Sequence, residues 1–175
     1  MRKFFLIGFI FFLLFYPAVN VFATSDYVLP YPSSLPGNLL YKPRLFLEVV
    51  LKYWYFGNFG QFKYNLKKSD KYLIEAKTLF EYGQYLHATT KSLKVSDEYF
   101  RRTLPYLLNA RQEGKNIEQN KILLSKAAAK HIEVLEKLSK ELPDKFEWRP
   151  EKDKPTVIYI RKEIENSIFI RAKYL

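Results

Sequence analysis

From residue 39 onward the apolar residues recur at helical spacing. Phe62, Leu66, Ser69, Leu73, Ala76 and Phe80 fall at steps of four and three, which predicts a helix over 59–82 ended by Gly83. Before it, Leu47, Val50, Leu51 and Trp54 share one face of a helix over 41–56. Pro43 fits its first turn, and Gly57-Asn58 closes it. After it, Leu86, Leu93, Phe100 and Leu107 repeat every seven residues, interleaved with Thr89, Ser96, Thr103 and Ala110. This third pattern spans 84–113, and Pro105 is expected to break or kink it near Arg101-Arg102, because proline removes a donor and crowds the preceding turn. Ile117, Leu124, His131 and Leu138, joined by Ala128, Leu135 and Leu142, predict a fourth helix over 117–142, stopped by Pro143.

The stretch 144–155 is polar and bears proline, so it reads as a loop. A last helix is expected over 156–172 with Thr156 as its N-cap. A strand over 157–160 is the alternative, given the β-branched residues there. Short links make sequential helices antiparallel neighbours. The fold class is therefore all-α, an antiparallel bundle of about four to five helices. Helices two to four have the size of tetratricopeptide-like units, but the Trp, Gly and Ala positions of that repeat are missing at its offsets.

The first residues add an address. Met1-Arg2-Lys3 leads into an apolar block over 4–16, with Val21 and Ala23 placed as the small residues before a cut at Thr24. A cleaved signal peptide over 1–23 is expected. An uncleaved anchor is the alternative, since 4–22 approaches the roughly 20 residues that span a bilayer, although Pro17 and Asn20 interrupt it. Either way Arg2 and Lys3 stay on the cytoplasmic side and the body is exported. Residues 24–38 are a Pro-rich extended lead-in, and 39–175 form one helical domain.

Composition narrows the chemistry. The chain has no cysteine, which excludes disulfides, acylated lipoproteins, thiol catalysis, iron–sulfur clusters and cysteine zinc sites. The formal charge is +11, which favours anionic partners such as lipid headgroups or acidic wall polymer. Export argues against nucleic acid. Lys63, Lys67 and Lys71 lie four apart on one helix face with Lys68 beside them, and Arg101-Arg102 adds a basic doublet. These six residues are the candidate anionic-surface site. Tyr53, Trp54, Tyr55 and Phe56 are expected to cap the bundle core, with stacking on sugars or bases, or a place at a membrane interface, as the alternatives. His131 lies on an apolar seam and is expected to be a core histidine, hydrogen-bonded to a tyrosine or carboxylate. His87 pairs with it only if helices three and four align. No spacing supports a metal site. Glycine-rich phosphate loops, nucleophile elbows and paired metal histidines are missing, so no catalytic residue or cofactor is expected.

Four segments also carry a family resemblance. They are Leu35-Pro36-Gly37-Asn38-Leu39-Leu40-Tyr41-Lys42, the run 62–76, Lys130-His131-Ile132-Glu133-Val134-Leu135-Glu136-Lys137-Leu138, and Lys162-Glu163-Ile164-Glu165-Asn166-Ser167. In that order behind an export signal, they resemble the bacterial exported helical family known as domain of unknown function 5667. The resemblance runs from about residue 35 to 167. It implies an exported helical domain and no activity, cofactor or catalytic residue. The functional expectation is a non-catalytic extracytoplasmic interaction domain. Its partner is an unknown protein or an anionic envelope component, and any membrane contact is through the N-terminal segment. Two alternatives stand beside it: docking on anionic lipid or wall polymer through the lysine stripe, and a periplasmic chaperone-like or sensor role.

Overall fold

Apolar stripes at helical spacing need neighbours to bury them, and the elements of the computed structural model follow from that. It describes residues 27–32, 39, 41–83, 85–152 and 154–175; the leader at 1–23 lies outside them. In chain order the elements are α1 (Tyr41–Lys52), α2 (Gly57–Gly83), α3 (Leu86–Arg101), α4 (Thr103–Gln112), α5 (Glu118–Glu141), β1 (Phe146–Trp148), β2 (Thr156–Ile158) and α6 (Ile160–Ala172). The fold is an all-α bundle carrying one small antiparallel hairpin.

The break expected from Pro105 is real. It falls at Arg102, between α3 and α4, three residues ahead of the proline. The segment read as a loop contains β1. The start assigned to the last helix is β2, as the strand alternative over 157–160 had it in part, and Tyr159 rather than Thr156 precedes α6. Phe146 faces Ile158, Glu147 faces Val157 and Trp148 faces Thr156. The β-branched Thr156-Val157-Ile158 suits a pleated, half-buried surface. Phe146 packs against the core, while Trp148 stacks flat on His87 with ring centres 3.9 Å apart.

Cross-helix pairs give the directions. Tyr64 meets Tyr99, Ser69 meets Ser96 and Glu75 meets Ser92, so α2 and α3 run antiparallel. Lys94 meets Glu163 and Asp97 meets Ser167, so α3 and α6 run parallel.

Two apolar cores result. One holds Phe62, Leu66, Phe100, Leu107, Leu124, Ala127, Ala128 and Ile170. The other holds Leu73, Ala76, Leu93, Leu135, Leu138, Leu142, Ile160 and Ile164. On each of α2, α3, α5 and α6 the residues between these two sets are polar and buried: Ser69-Asp70, Ser96-Asp97, His131 and Ser167. A polar layer thus crosses the bundle between its two cores. Tyr27 packs on the first core and Leu29 on the second, so the packed domain begins before residue 39.

Candidate functional site

The polar layer is the first place to look for chemistry, because it holds His131. Arg171, on the last turn of α6, has no exposed surface and enters the layer from one side. Its Nε–H donates to His131 Nδ1 at 3.0 Å. One terminal nitrogen donates to Asp97 Oδ1 at 2.5 Å and to the Ser167 carbonyl at 2.9 Å, and the other donates to Ser96 Oγ at 2.9 Å. Ser167 Oγ–H donates to Asp97 Oδ2 at 2.7 Å. Guanidinium groups only donate, so His131 Nδ1 accepts and its proton sits on Nε2. Nε2–H then donates to Asp70 Oδ1 at 2.7 Å, and the Tyr27 hydroxyl donates to Asp70 Oδ2 at 2.5 Å.

Burial lowers the His131 pKa below its ordinary value. The hydrogen bond to Asp70 opposes that shift, and the Arg171 charge reinforces it. Burial, followed by the Asp70 charge and hydrogen bond, pushes the Tyr27 phenol up. Every polar atom of the ring is engaged and the side chain is sealed from solvent. His131 is a core histidine bonded to a carboxylate, as the seam suggests. His87 is not its partner, since it stacks on Trp148. Among the described residues no three His, Cys, Asp or Glu groups stand together as metal ligands.

The basic candidates are not one stripe. Lys63 and Lys67 are exposed. Lys68 and Lys71 turn under α1, where the Glu48 carboxylate lies between them. Lys71 donates to Glu48 Oε1 at 2.7 Å, and Lys68 donates to Oε2. Burial opposes ionisation of Glu48, but the two lysine hydrogen bonds and charges outweigh it and hold its pKa below the usual value. Arg101 and Arg102 are both exposed, yet they lie toward different neighbours. Arg102 sits over the Tyr99 ring and pairs with Glu98 at 3.7 Å, while the charge of Arg101 acts on Tyr174. Lys68, Lys71 and Arg101-Arg102 therefore do not join Lys63 and Lys67 in one free basic surface.

The aromatic run at the end of α1 does not cap the core. Tyr55 alone turns inward, 5.4 Å from the Tyr64 ring, which in turn meets Tyr99. Burial raises the Tyr64 pKa to about 12, helped by Tyr99. Along α1 and the turn after it, Phe46, Val49, Tyr53, Trp54 and Phe56 keep between 60% and 80% of their surface exposed. Here periodicity misleads. The pattern of α1 says that its residues are apolar, but Glu48 rather than Leu47 or Val50 is its firmest tie to the bundle. Gly60 shapes the corner that brings α1 back over α2. A Cβ there would meet the Tyr55 backbone carbon at 2.7 Å.

The lysines and aromatics converge in a groove of about 330 Å³ between α1 and α2. Leu47, Leu51, Tyr55, Tyr64, Pro30 and Tyr31 wall it, and Lys67, Lys68, Lys71 and Glu48 mark its polar side. The sequence carries one signal of this arrangement, the lone acidic residue of α1 flanked by apolar neighbours, and nothing that pairs Glu48 with Lys68 and Lys71. No family model, curated protein or solved structure matches this chain.

Proposed function

We propose that the chain is a non-catalytic extracytoplasmic interaction domain whose contact surface is α1, laid in the interface of an anionic membrane. The observation that carries this is the exposed apolar arc of α1 and its turn: Phe46, Val49, Val50, Tyr53, Trp54 and Phe56. At 12 residues α1 is far shorter than the roughly 20 needed to span a bilayer, and among the described residues no helix is long and apolar enough to cross one. A short apolar helix followed by Tyr53-Trp54 and flanked by basic residues suits the interface, where aromatic rings sit at headgroup level.

Magnitudes decide which feature carries the docking. Fully burying a large apolar side chain is worth about 1.5–3 kcal/mol, so six half-exposed ones outweigh the basic residues. Each lysine near an anionic surface adds about 1 kcal/mol, and among the described side chains of α1 and α2 here Lys42, Lys52, Lys63 and Lys67 are exposed. Docking through α1 thus predicts modest salt dependence, whereas docking through the lysine stripe predicts a steep one. The leader places the arm and α1 near the outer face of the same membrane if it stays uncleaved. The resemblance to the exported helical family adds no activity to this reading.

The test is depth-dependent quenching. Full chain carrying Trp148→Phe is reconstituted into phosphatidylglycerol-containing vesicles, leaving Trp54 as the reporter. Brominated lipids are expected to quench Trp54, with blue-shifted emission that persists in 0.5 M salt. Water-like, unquenched Trp54 emission refutes the proposal. Quenching abolished by salt transfers the role to the lysines.

A further inference from the structure

The groove beneath α1 faces the bundle rather than the outer arc of the helix, and its chemistry is of a different kind. Its volume of about 330 Å³ lies at the lower end of small-molecule sites, which run from about 300 to 1,000 Å³. One side is carbon-rich: Leu47 and Leu51 from α1, Tyr55 from the turn, Tyr64 from α2 and Pro30 from the arm. Among the described residues the other side holds the Lys67, Lys68 and Lys71 ammonium groups and the Glu48 carboxylate. Lys67, on the rim, is exposed and makes no ion pair or hydrogen bond among the described residues.

Glu48 shows what the deep end of this site accepts. It is a carboxylate projecting from an apolar helix, and it is seated between two lysine ammoniums with only 13% of its side chain exposed. Beside it, Lys67 offers a further cation at the mouth of an apolar groove that the described residues leave open. A carboxylate at the head of a hydrocarbon chain satisfies both sides at once. An inorganic anion leaves the apolar wall wet, and an uncharged hydrocarbon leaves the cationic side without a counter-charge.

We infer that the groove between α1 and α2 is a binding site for a long-chain carboxylate, with the head group on Lys67 and the chain along Leu47, Leu51, Tyr55 and Tyr64. The site needs α1 seated on the bundle as described and does not need α1 docked in lipid. It adds a ligand class to a chain otherwise read as an interaction surface.

The test uses the full chain in nanodiscs and a diazirine-bearing palmitate analogue, with crosslinks mapped by peptide mass spectrometry. Saturable labelling is expected on Leu47, Leu51 and Tyr55 and in the segment 64–71, displaced by palmitate and not by hexadecanol. Lys67→Glu and Lys67→Gln are each expected to lower labelling at sub-saturating probe, the former by about tenfold, with circular dichroism unchanged. Displacement by hexadecanol as effective as by palmitate overturns the inference. So does labelling that does not saturate and falls on Phe46, Val49 and Trp54, or undiminished labelling in both Lys67 variants. A dimer in which a second copy fills the groove and blocks the probe overturns it as well. Trp54 quenching, read on the Trp148→Phe chain in nanodiscs of brominated lipid with the same probe, separates the two proposals. Quenched Trp54 without saturable groove labelling removes the ligand and keeps the docking. Saturable labelling with unquenched Trp54 does the reverse.

Discussion

Replacing Arg171 by Met keeps most of the side-chain volume and removes the guanidinium from the polar layer. Arg171 is wholly buried and donates to His131, Asp97, the Ser167 carbonyl and Ser96. Without it the Asp97 carboxylate keeps only the Ser167 hydroxyl among these partners, at 2.7 Å, and becomes a buried charge without a counter-charge. Breaking a buried pair from one side costs about 3–5 kcal/mol, because the remaining ion has been taken out of water and has nothing to offset that. For a chain of this size each kcal/mol moves Tm by about 2–4 °C, so the loss is roughly 6–20 °C. Urea unfolding followed by circular dichroism and by tryptophan fluorescence measures it. Two further results belong to the same reasoning. Arg171→Met/Asp97→Leu is expected to be more stable than Arg171→Met alone, since the second change removes the orphaned charge. The His131 pKa rises in Arg171→Met, because the neighbouring guanidinium is one of the influences that lower it. A cost below about 1 kcal/mol for the single variant, or a double variant no better than the single, refutes the account of the layer as a coupled electrostatic unit.

Other expectations follow from buried groups that titrate. Burial raises the Glu75 pKa, Ser92 donates to its Oε1 at 2.8 Å, and its Oε2 has no hydrogen-bond partner among the described residues. Because the folded form holds its proton more tightly, the stability this group contributes is present below about pH 4.5 and is lost as pH rises through the raised value. Glu75→Gln should therefore raise the urea midpoint at pH 7.5 and leave it nearly unchanged at pH 4; an equal change at both pH values refutes this. His131 has the opposite sign. Its folded pKa is lowered, so below about pH 6.5 the unfolded chain takes up a proton that the folded chain refuses, and stability falls as pH drops. In the Glu75→Gln background, where the opposing slope is gone, the midpoint should fall between pH 7.5 and 5.5, and His131→Gln should flatten that fall. A slope that His131→Gln leaves intact assigns it to another group.

The polar layer also has a structural consequence. Tyr27 from the arm, Asp70 from α2, Asp97 from α3, His131 from α5 and Arg171 from α6 each have one correct partner set, so sliding any helix by a turn breaks several bonds at once. Apolar cores tolerate such slippage far better, because leucine packs acceptably against many neighbours. The layer thus sets the register of the bundle, and through Tyr27 it holds the arm against the domain just before the Pro30-Tyr31 wall of the groove.

Local periodicity determined which stretches are helical, where glycine ends α2, and that Pro105 splits the third helix at Arg102, because each depends on residues within one or two turns. It also placed Ser69, Ser96 and His131 on buried seams. It missed β1, a three-residue strand inside a stretch that read as polar loop, and it offered β2 only as the alternative to a helix start, from its β-branched residues. It placed Tyr53 to Phe56 over the core, because a pattern of apolar residues says that they prefer to leave water and not where a partner stands. Asp70, Asp97 and Arg171 carried no local sign of meeting. Whether they meet is decided by helix register, which is a non-local property. The same holds for Glu48, Lys68 and Lys71. Four-residue spacing makes a lysine stripe on an isolated helix, but only the folding back of α1 over α2 divides that stripe into two lysines that share Glu48 and two exposed ones, and opens the groove between them.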